Sequence, residues 1–353
     1  MTESRFLNLI RNRNVAFITV KNRDYIRVSQ IERFLAEHAS DYEIYSSDKT
    51  DPMARMLDLN WRIDRMDFNG IDAIVVGFLP QLVWKKILRK VGRLSKKPVL
   101  IADFFLSLYD TIVLDRRLLG DGNPLTGILR KMDKRVLAEA DLVITDTKAD
   151  AEFFSREYNI SYVKFEVMYL EADPEFVRIA DDKCRPRLSS CSERKSGDPG
   201  VSDSDSYEVI YFGTGLPLQG TDIVLESFVK AAHKSQHVTF TYVGSTRHIP
   251  DRTKRNASVT KSINLIDWLS QEELYSKVAK ANLCIVGHFN PCIDKADRTI
   301  PGKAFIYEAL GKKMILGNTE ANHEYFEEDE RHIFVRRGSA AALAESICDC
   351  AGI

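Results

Sequence analysis

Short apolar runs of three to seven residues alternate with longer amphipathic stretches along almost the whole chain, and that alternation admits few folds. Runs of this length suit buried strands, and a helix between successive runs carries the chain back so that the strands lie parallel. In the first half the runs fall at 15–20, 42–45, 73–79, 99–102, 142–145 and 163–169, with helical stretches at 29–37, 82–94, 127–140 and 149–157. In the second half they fall at 208–212, 238–243, 263–266, 283–286, 314–316 and 333–335, with helical stretches at 221–232, 271–281, 303–310 and 340–348. Between the two series, residues 181–206 (DDKCRPRLSSCSERKSGDPGVSDSDS) carry almost no bulky apolar side chains. Such a stretch cannot bury enough surface to offset its ordering entropy.

The chain of 353 residues exceeds what one hydrophobic core usually serves. We therefore expect an α/β protein of two Rossmann-like domains, residues 1–180 and 207–353, with 181–206 as a polar, flexible linker or insertion. Ligands of parallel sheets bind beyond the carboxyl ends of the strands, so two such halves imply sheets facing across a cleft.

Composition narrows the function classes. The chain is 44% hydrophobic and 29% charged, with a formal net charge of −1, so it lacks the basic excess of a nucleic-acid binder. No apolar run approaches the roughly 18–20 residues of a membrane span. The opening MTESRFLNLIRNRN has no apolar signal core. Cysteines at 184, 191, 284, 292, 348 and 350 form no C-x-x-C pair and read as reduced thiols. A cytoplasmic protein without a structural metal is the expectation.

Four segments after strands carry candidate chemistry. RTIPGKAFIYEALG, residues 298–311, places Pro301 and Gly302 before a helix, with Lys303 in its first turn. A helix start presents unpaired N–H groups and partial positive charge, and a lysine there makes sense beside an anion. Arg298 offers a second cation. The alternative is a capped surface helix with a solvated lysine. YFGTGLPLQG places Gly213, Thr214 and Gly215 between strand and helix, where backbone amides can approach a ligand or simply form a tight turn. TYVGSTRH ends another strand at Gly244. In NLIDWLSQEELY, Trp268 follows a strand, placed either to contact a base or to pack. The spacing matches neither a dinucleotide fingerprint nor a P-loop.

In this order the four segments resemble the second half of GT-B glycosyltransferases, specifically glycosyltransferase family 4. The family's pattern ends in P-x-K-x-x-E-A/Y-L-x-x-G-K-P-V-I, and IPGKAFIYEALGKKMIL stands in its place. The resemblance covers roughly residues 207–348. It reaches the first half weakly, through residues 101–110 and 139–154. It implies a hexosyltransferase-type enzyme that moves a sugar from a nucleotide-diphosphate donor, with retention and without a required metal or other cofactor. The acceptor is a glycan or lipid-linked molecule on the first domain, as in polysaccharide biosynthesis, and the donor lies on the second. It further implies that Glu308 grips the ribose hydroxyls. Gly213, Gly215, Gly302 and Lys303 would then surround the diphosphate.

The departures from the family are specific. Thr214 and Gln219 stand where the first loop usually carries Arg and Lys. Counted from Glu308, the earlier glutamate of the pattern falls at Ile300. Residues 21–27 (KNRDYIR) replace a glycine-rich loop. A second expectation, a catalytically impaired glycosyltransferase-like binding or regulatory protein, rests on these losses.

In the first half, Asp103 follows a strand and is placed to act as a base or to orient an acceptor hydroxyl together with Asp110; an Asp there is equally a helix cap. Arg23 and Arg27 read as anion-binding or exposed loop cations. WKKILRKVGRLSKKP, residues 84–98, holds seven Lys or Arg and no acid. It suits an anionic membrane surface, with peripheral attachment at the inner face, or the solvated side of a sheet-packed helix.

Overall fold

The computed structural model describes residues 4–120, 122–172, 174, 206–235 and 237–353. Of the polar stretch 181–206, residues 181–205 lie outside the described residues. The chain divides into two compact units, Met1–Glu171 and Ala172–Ile353.

The first unit holds six parallel strands: β1 (Asn14–Thr19), β2 (Asp41–Tyr45), β3 (Ala73–Gly77), β4 (Val99–Asp103), β5 (Leu142–Thr145) and β6 (Phe165–Val167). Their order is β2-β1-β3-β4-β5-β6. Central β3 is buried along its whole length, which is why AIVVG reads as a continuous apolar run. Helices α1 (Arg5–Ile10) and α2 (Ile26–His38) cover one face, where Phe6, Ile31 and Leu35 meet Phe17, Val75 and Ile101. Helices α3 (Pro52–Arg65), α4 (Trp84–Val91), α5 (Pro124–Glu139) and α6 (Lys148–Tyr158) cover the other.

The second unit repeats the plan with β7 (Tyr207–Phe212), β8 (Val238–Val243), β9 (Ile263–Ile266), β10 (Leu283–Gly287), β11 (Lys313–Gly317) and β12 (His332–Val335). All pairs are parallel, in the order β12-β11-β10-β7-β8-β9. The helices are α7 (Thr221–Ala232), α8 (Asp251–Val259), α9 (Gln271–Lys280), α10 (Lys295–Arg298), α11 (Gly302–Ala309), α12 (Glu320–Tyr325) and α13 (Ala340–Ala351). Strand order reverses between β1 and β3 in the first sheet and between β7 and β10 in the second. The carboxyl ends of those strand pairs are where such sheets take ligands.

Three local features differ from the sequence expectation. Strand β3 stops at Gly77 because Phe78 and Leu79 take φ of 43° and 67°. Helix α3 goes unread because its outward side carries Met53, Leu57 and Trp61, which blur the one-faced apolar pattern. In the basic segment 84–98, two of the seven cations turn onto α3. Lys86 Nζ lies 2.6 Å from the Asn60 carbonyl and 2.7 Å from Asp64 Oδ2. Lys90 Nζ donates to the carbonyls of Ile63, Asp64 and Met66 at 2.6–2.8 Å. Lys90 thereby satisfies open carbonyls at the end of α3, where positive charge also meets the helix dipole favourably.

One buried carboxylate fixes the chain beyond β4. Asp133 of α5 accepts from Gln81 Nε2 (2.7 Å), Ser107 Oγ (2.7 Å), the backbone N–H groups of Leu108 (3.0 Å) and Tyr109 (2.8 Å), and Tyr158 Oη (3.0 Å). Burial pushes its carboxyl above the usual range, and these donors pull it back. Asp133→Ala would orphan several buried donors together, at a cost on the order of 3 kcal/mol or more. Urea unfolding monitored by circular dichroism should show that loss; a change below about 1 kcal/mol would mean the network is not a stability element.

Candidate functional site

In the second unit the reversal point is built from three loop ends. The chain after β7 (Gly213 to Gly220) is stitched to the chain after β10. Phe289 N–H donates to the Gln219 carbonyl (3.3 Å), and Asn290 Nδ2 donates to the Pro217 carbonyl (2.9 Å). Beneath them begins α11, whose N-cap is Pro301 and which no side chain caps.

Lys303, in the first turn of α11, is not the solvated lysine of a surface helix: it is 7% exposed. Its Nζ lies 4.0 Å from the Tyr211 ring centroid and 5.4 Å from that of Phe212, and it has no hydrogen-bond partner. Burial pulls its pKa down to about 7, which the two ring faces oppose by favouring the charged form.

Next to it His288 follows β10 with a left-handed backbone, φ 61°. Its buried Nδ1 lies 3.0 Å from the Thr299 carbonyl, so Nδ1 carries the proton as donor. Burial pulls this imidazole down to about 3, opposed by the Thr299 bond and reinforced by the charges of Lys303, Lys295 and Arg337. Arg337 is held by the Asn290 carbonyl (3.2 Å) and Asp297 (3.5 Å). Three cations therefore surround the end of β10. Sequence reading missed His288, Lys295 and Arg337, which belong to no recognisable motif. Arg298 closes α10, buried and already engaged within the protein.

The glycines serve the loops themselves. Gly213 N–H is bonded to the Val243 carbonyl (3.0 Å), and Gly215 N–H to Gln219 Oε1 (3.0 Å). The same Oε1 also accepts from Leu216 N–H (3.2 Å) and Tyr211 Oη (3.3 Å), so Gln219 fills the hollow that these donors form. Gly215 was expected to offer its amide to a diphosphate; here that amide already has a partner. Thr214 stands exposed at the loop tip. A Cβ on Gly244, at φ +136°, would lie 1.9 Å from the Gly213 carbonyl oxygen, so this glycine is required by the contact between the two loops. Trp268 does not pack: it is 76% exposed beyond edge strand β9, two strand spacings (about 10 Å) from β7.

Glu308 is engaged within the protein. Its Oε2 lies 2.7 Å from His332 Nε2 and its Oε1 3.2 Å from Arg331 Nη2. His332 opens β12, so Glu308 sits at the amino edge of the sheet, about 7 Å along α11 from Lys303. Expected to grip a ribose, Glu308 is instead paired with His332 and Arg331, at the edge of the sheet opposite to Lys303. Counted without a gap from Pro301 and Lys303, the glutamate of the family pattern falls at half-buried Ile306, and the position eight residues earlier at Arg298.

In the first unit Asp103 is likewise engaged within the protein. Arg27 belongs to α2 rather than to an exposed loop. Its Nε meets Asp103 Oδ1 at 2.9 Å, with side chains 0% and 1% exposed. Arg27 Nη1 also donates to the Met168 carbonyl at 2.7 Å. Asp103, placed by sequence to act as a base or to orient a hydroxyl, is here buried and engaged through Oδ1 with Arg27. Asp110 is buried in a π-helical turn, and Arg23 pairs with Glu32. Above the ion pair the sheet edge carries aromatic rings. Tyr25, Phe78 and Phe105 lie with centroids 5.1–6.1 Å apart, and Lys21 Nζ lies 5.3 Å from the Tyr25 ring. No group of three or more metal-ligating side chains occurs among the described residues.

No protein-family model matches the sequence, and no curated protein matches it. Solved structures match through most of its length. Sucrose-phosphate synthase from Thermosynechococcus elongatus aligns with a TM-score of 0.63 and 13% identity, over 96% of this chain and 89% of that one. HepE from Anabaena, in complex with UDP and glucose, aligns with a TM-score of 0.59 and 12% identity over the same shares. TarM from S. aureus, in complex with fondaparinux, α-GlcNAc-glycerol and UDP, aligns at 0.52 and 9% identity, over 84% of this chain and 52% of that one. Likeness at such identities speaks for the fold. This chain is built on the GT-B plan, with two Rossmann-like α/β domains, each around six parallel strands.

Proposed function

We propose that the protein is a glycosyltransferase that draws a sugar from a nucleoside-diphosphate donor bound at the start of α11. The sugar passes to a glycan or lipid-linked acceptor bound on the first unit. The observation that carries the reading is Lys303: a buried, unpartnered ammonium at an uncapped helix start, at the reversal point of a parallel sheet. An unpaired buried amine is costly, and an arriving diphosphate would relieve that cost.

As the bond from the anomeric carbon to the β-phosphate oxygen breaks, its electron pair passes to the phosphate, the acceptor hydroxyl oxygen bonds to the anomeric carbon, and the hydroxyl proton passes to the departing phosphate oxygen. Lys303, the first N–H groups of α11 and the cations around His288 would meet that charge, the task a divalent ion performs elsewhere. Metal independence rests on this set of fixed cations, and retention on the resemblance in motif order. The four-carbon stem of Lys303 lets Nζ swing from the Tyr211 ring toward the ligand. The Tyr25, Phe78 and Phe105 rings suit an acceptor sugar face. Such an enzyme would work in the cytoplasm, at the inner membrane face when its acceptor is lipid-linked. Hexosyl transfer is the first activity to assay, and the UDP held by HepE makes UDP the first probe.

Calorimetric titration with UDP should show Lys303→Ala weakening binding by at least about tenfold, and Glu308→Ala by less than about twofold because it lies at the far edge. Unchanged binding in Lys303→Ala would sink the site. UDP-sugar turnover with acceptor extracts would exclude the impaired-enzyme alternative.

The unliganded protein carries a second signature. Between about 7 and the ordinary lysine value of 10.5, the folded chain holds one proton fewer at Lys303 than the unfolded chain. Stability should therefore rise with pH across that window and fall as pH drops toward 7. Lys303→Met should remove that slope and raise the melting temperature at pH 7. A slope unaltered in Lys303→Met would show that this lysine is not held near neutrality.

A further inference from the structure

Among the described residues, eight of the fifteen large apolar side chains that stand exposed fall between positions 53 and 128. They are not scattered. Met53, Leu57 and Trp61 are spaced by four on the outward side of α3, at 72%, 69% and 54% exposure. Leu118, Leu125 and Ile128 stand exposed around the start of α5. The inward sides of α3, α4 and α5 (Ile63, Ile87 and Val136 among them) share one core on one face of the sheet, so their outward sides lie on the same side of the unit.

The charge on that surface is one-sided. The three helices contain eleven Lys or Arg and four acids. Every one of the acids is engaged or buried: Asp58 with Arg62, Asp64 with Lys86, Glu139 near Arg135, and Asp133 in its buried network. Lys85, Arg89, Lys131 and Lys134 stand exposed among the apolar side chains, and the Arg65 guanidinium stacks on the Trp61 ring at 3.5 Å.

We infer that the outward face of α3, α4 and α5 docks on an anionic lipid bilayer. Met53, Leu57 and Trp61 enter the headgroup boundary, and the exposed cations meet the lipid phosphates. Apolar side chains in a row on α3 and around the start of α5, interspersed with exposed cations, suit a fluid anionic surface. A tryptophan with a stacked arginine suits the headgroup level, where one end is apolar and the other wet. A second copy of this chain would bring cations against cations. The surface differs from the basic stretch 84–98 taken alone, since Lys86 and Lys90 are engaged on α3, and it stands independently of the donor site.

The test is sedimentation of the full chain with phosphatidylcholine vesicles, with and without phosphatidylglycerol. Binding should require phosphatidylglycerol and weaken with salt. The pairs Leu57→Ser with Trp61→Ser, and Lys85→Glu with Arg89→Glu, should each weaken it by at least about tenfold, since all four side chains are exposed and their loss spares the core. Without touching the surface, Trp268→Phe leaves Trp61 as the exposed tryptophan, whose emission should shift to the blue on adding anionic vesicles. No sedimentation with anionic vesicles, binding unchanged in both paired variants, or an unshifted Trp61 emission would overturn the proposal. So would a dimer that buries Trp61 in the absence of lipid.

Discussion

A single ammonium group, Lys303 Nζ, concentrates the energetics of the second unit. It lies over the Tyr211 ring with no hydrogen-bond partner, in the first turn of a helix that no side chain caps. Charged, it is desolvated; neutral, it has surrendered its proton in a protein otherwise near neutrality. Neither state is comfortable, and the surrounding fold maintains the position. Strands β7 and β10 bring Tyr211 and Ile285 side by side, and α11 starts above them because Pro301 and Gly302 stop the preceding chain. The aromatic floor, the reversal of strand order and the helix start all converge on that nitrogen.

Charge at the reversal point has moved rather than vanished. The loop after β7 holds Gln219 in place of a cation, and that side chain occupies the backbone donors of its own loop. Positive charge gathers instead beyond β10, where Lys295, Lys303 and Arg337 press on His288. Two of the candidate glycines have other reasons to be glycine: Gly213 makes room for Tyr211 Oη and Gln219 Oε1, and Gly244 for the Gly213 carbonyl. In the first unit the Arg27–Asp103 pair likewise serves its surroundings, tying α2, β4 and the chain after β6 together beneath the aromatic edge.

The strands were legible because buried parallel strands are short and almost wholly apolar, as AIVVG and LCIVG are. Helix α3 was not, because amphipathicity reports a helix only when its outer side is polar, and Met53, Leu57 and Trp61 face outward. Lys303 was legible from its place after Pro-Gly, yet its burial was not, since that depends on rings on β7, three strands earlier in the sequence. The edge at which Glu308 sits was not legible because two registers of the motif differ by two residues, which on a short helix is the difference between one sheet edge and the other. Arg27 looked like a loop cation because KNRDYIR is polar, and its partner Asp103 lies 76 positions away. His288 gave no signal: a left-handed histidine after a strand belongs to no pattern.

If diphosphate binding restores the charge on Lys303, it must take up a proton from solution. Calorimetry of UDP binding at pH 8 in two buffers of different ionisation enthalpy measures that uptake directly. Uptake of about one proton, abolished in Lys303→Met, is the expected result. Uptake unchanged in Lys303→Met, or binding without uptake that is equally tight in Lys303→Met, would contradict the placement of the diphosphate at Lys303.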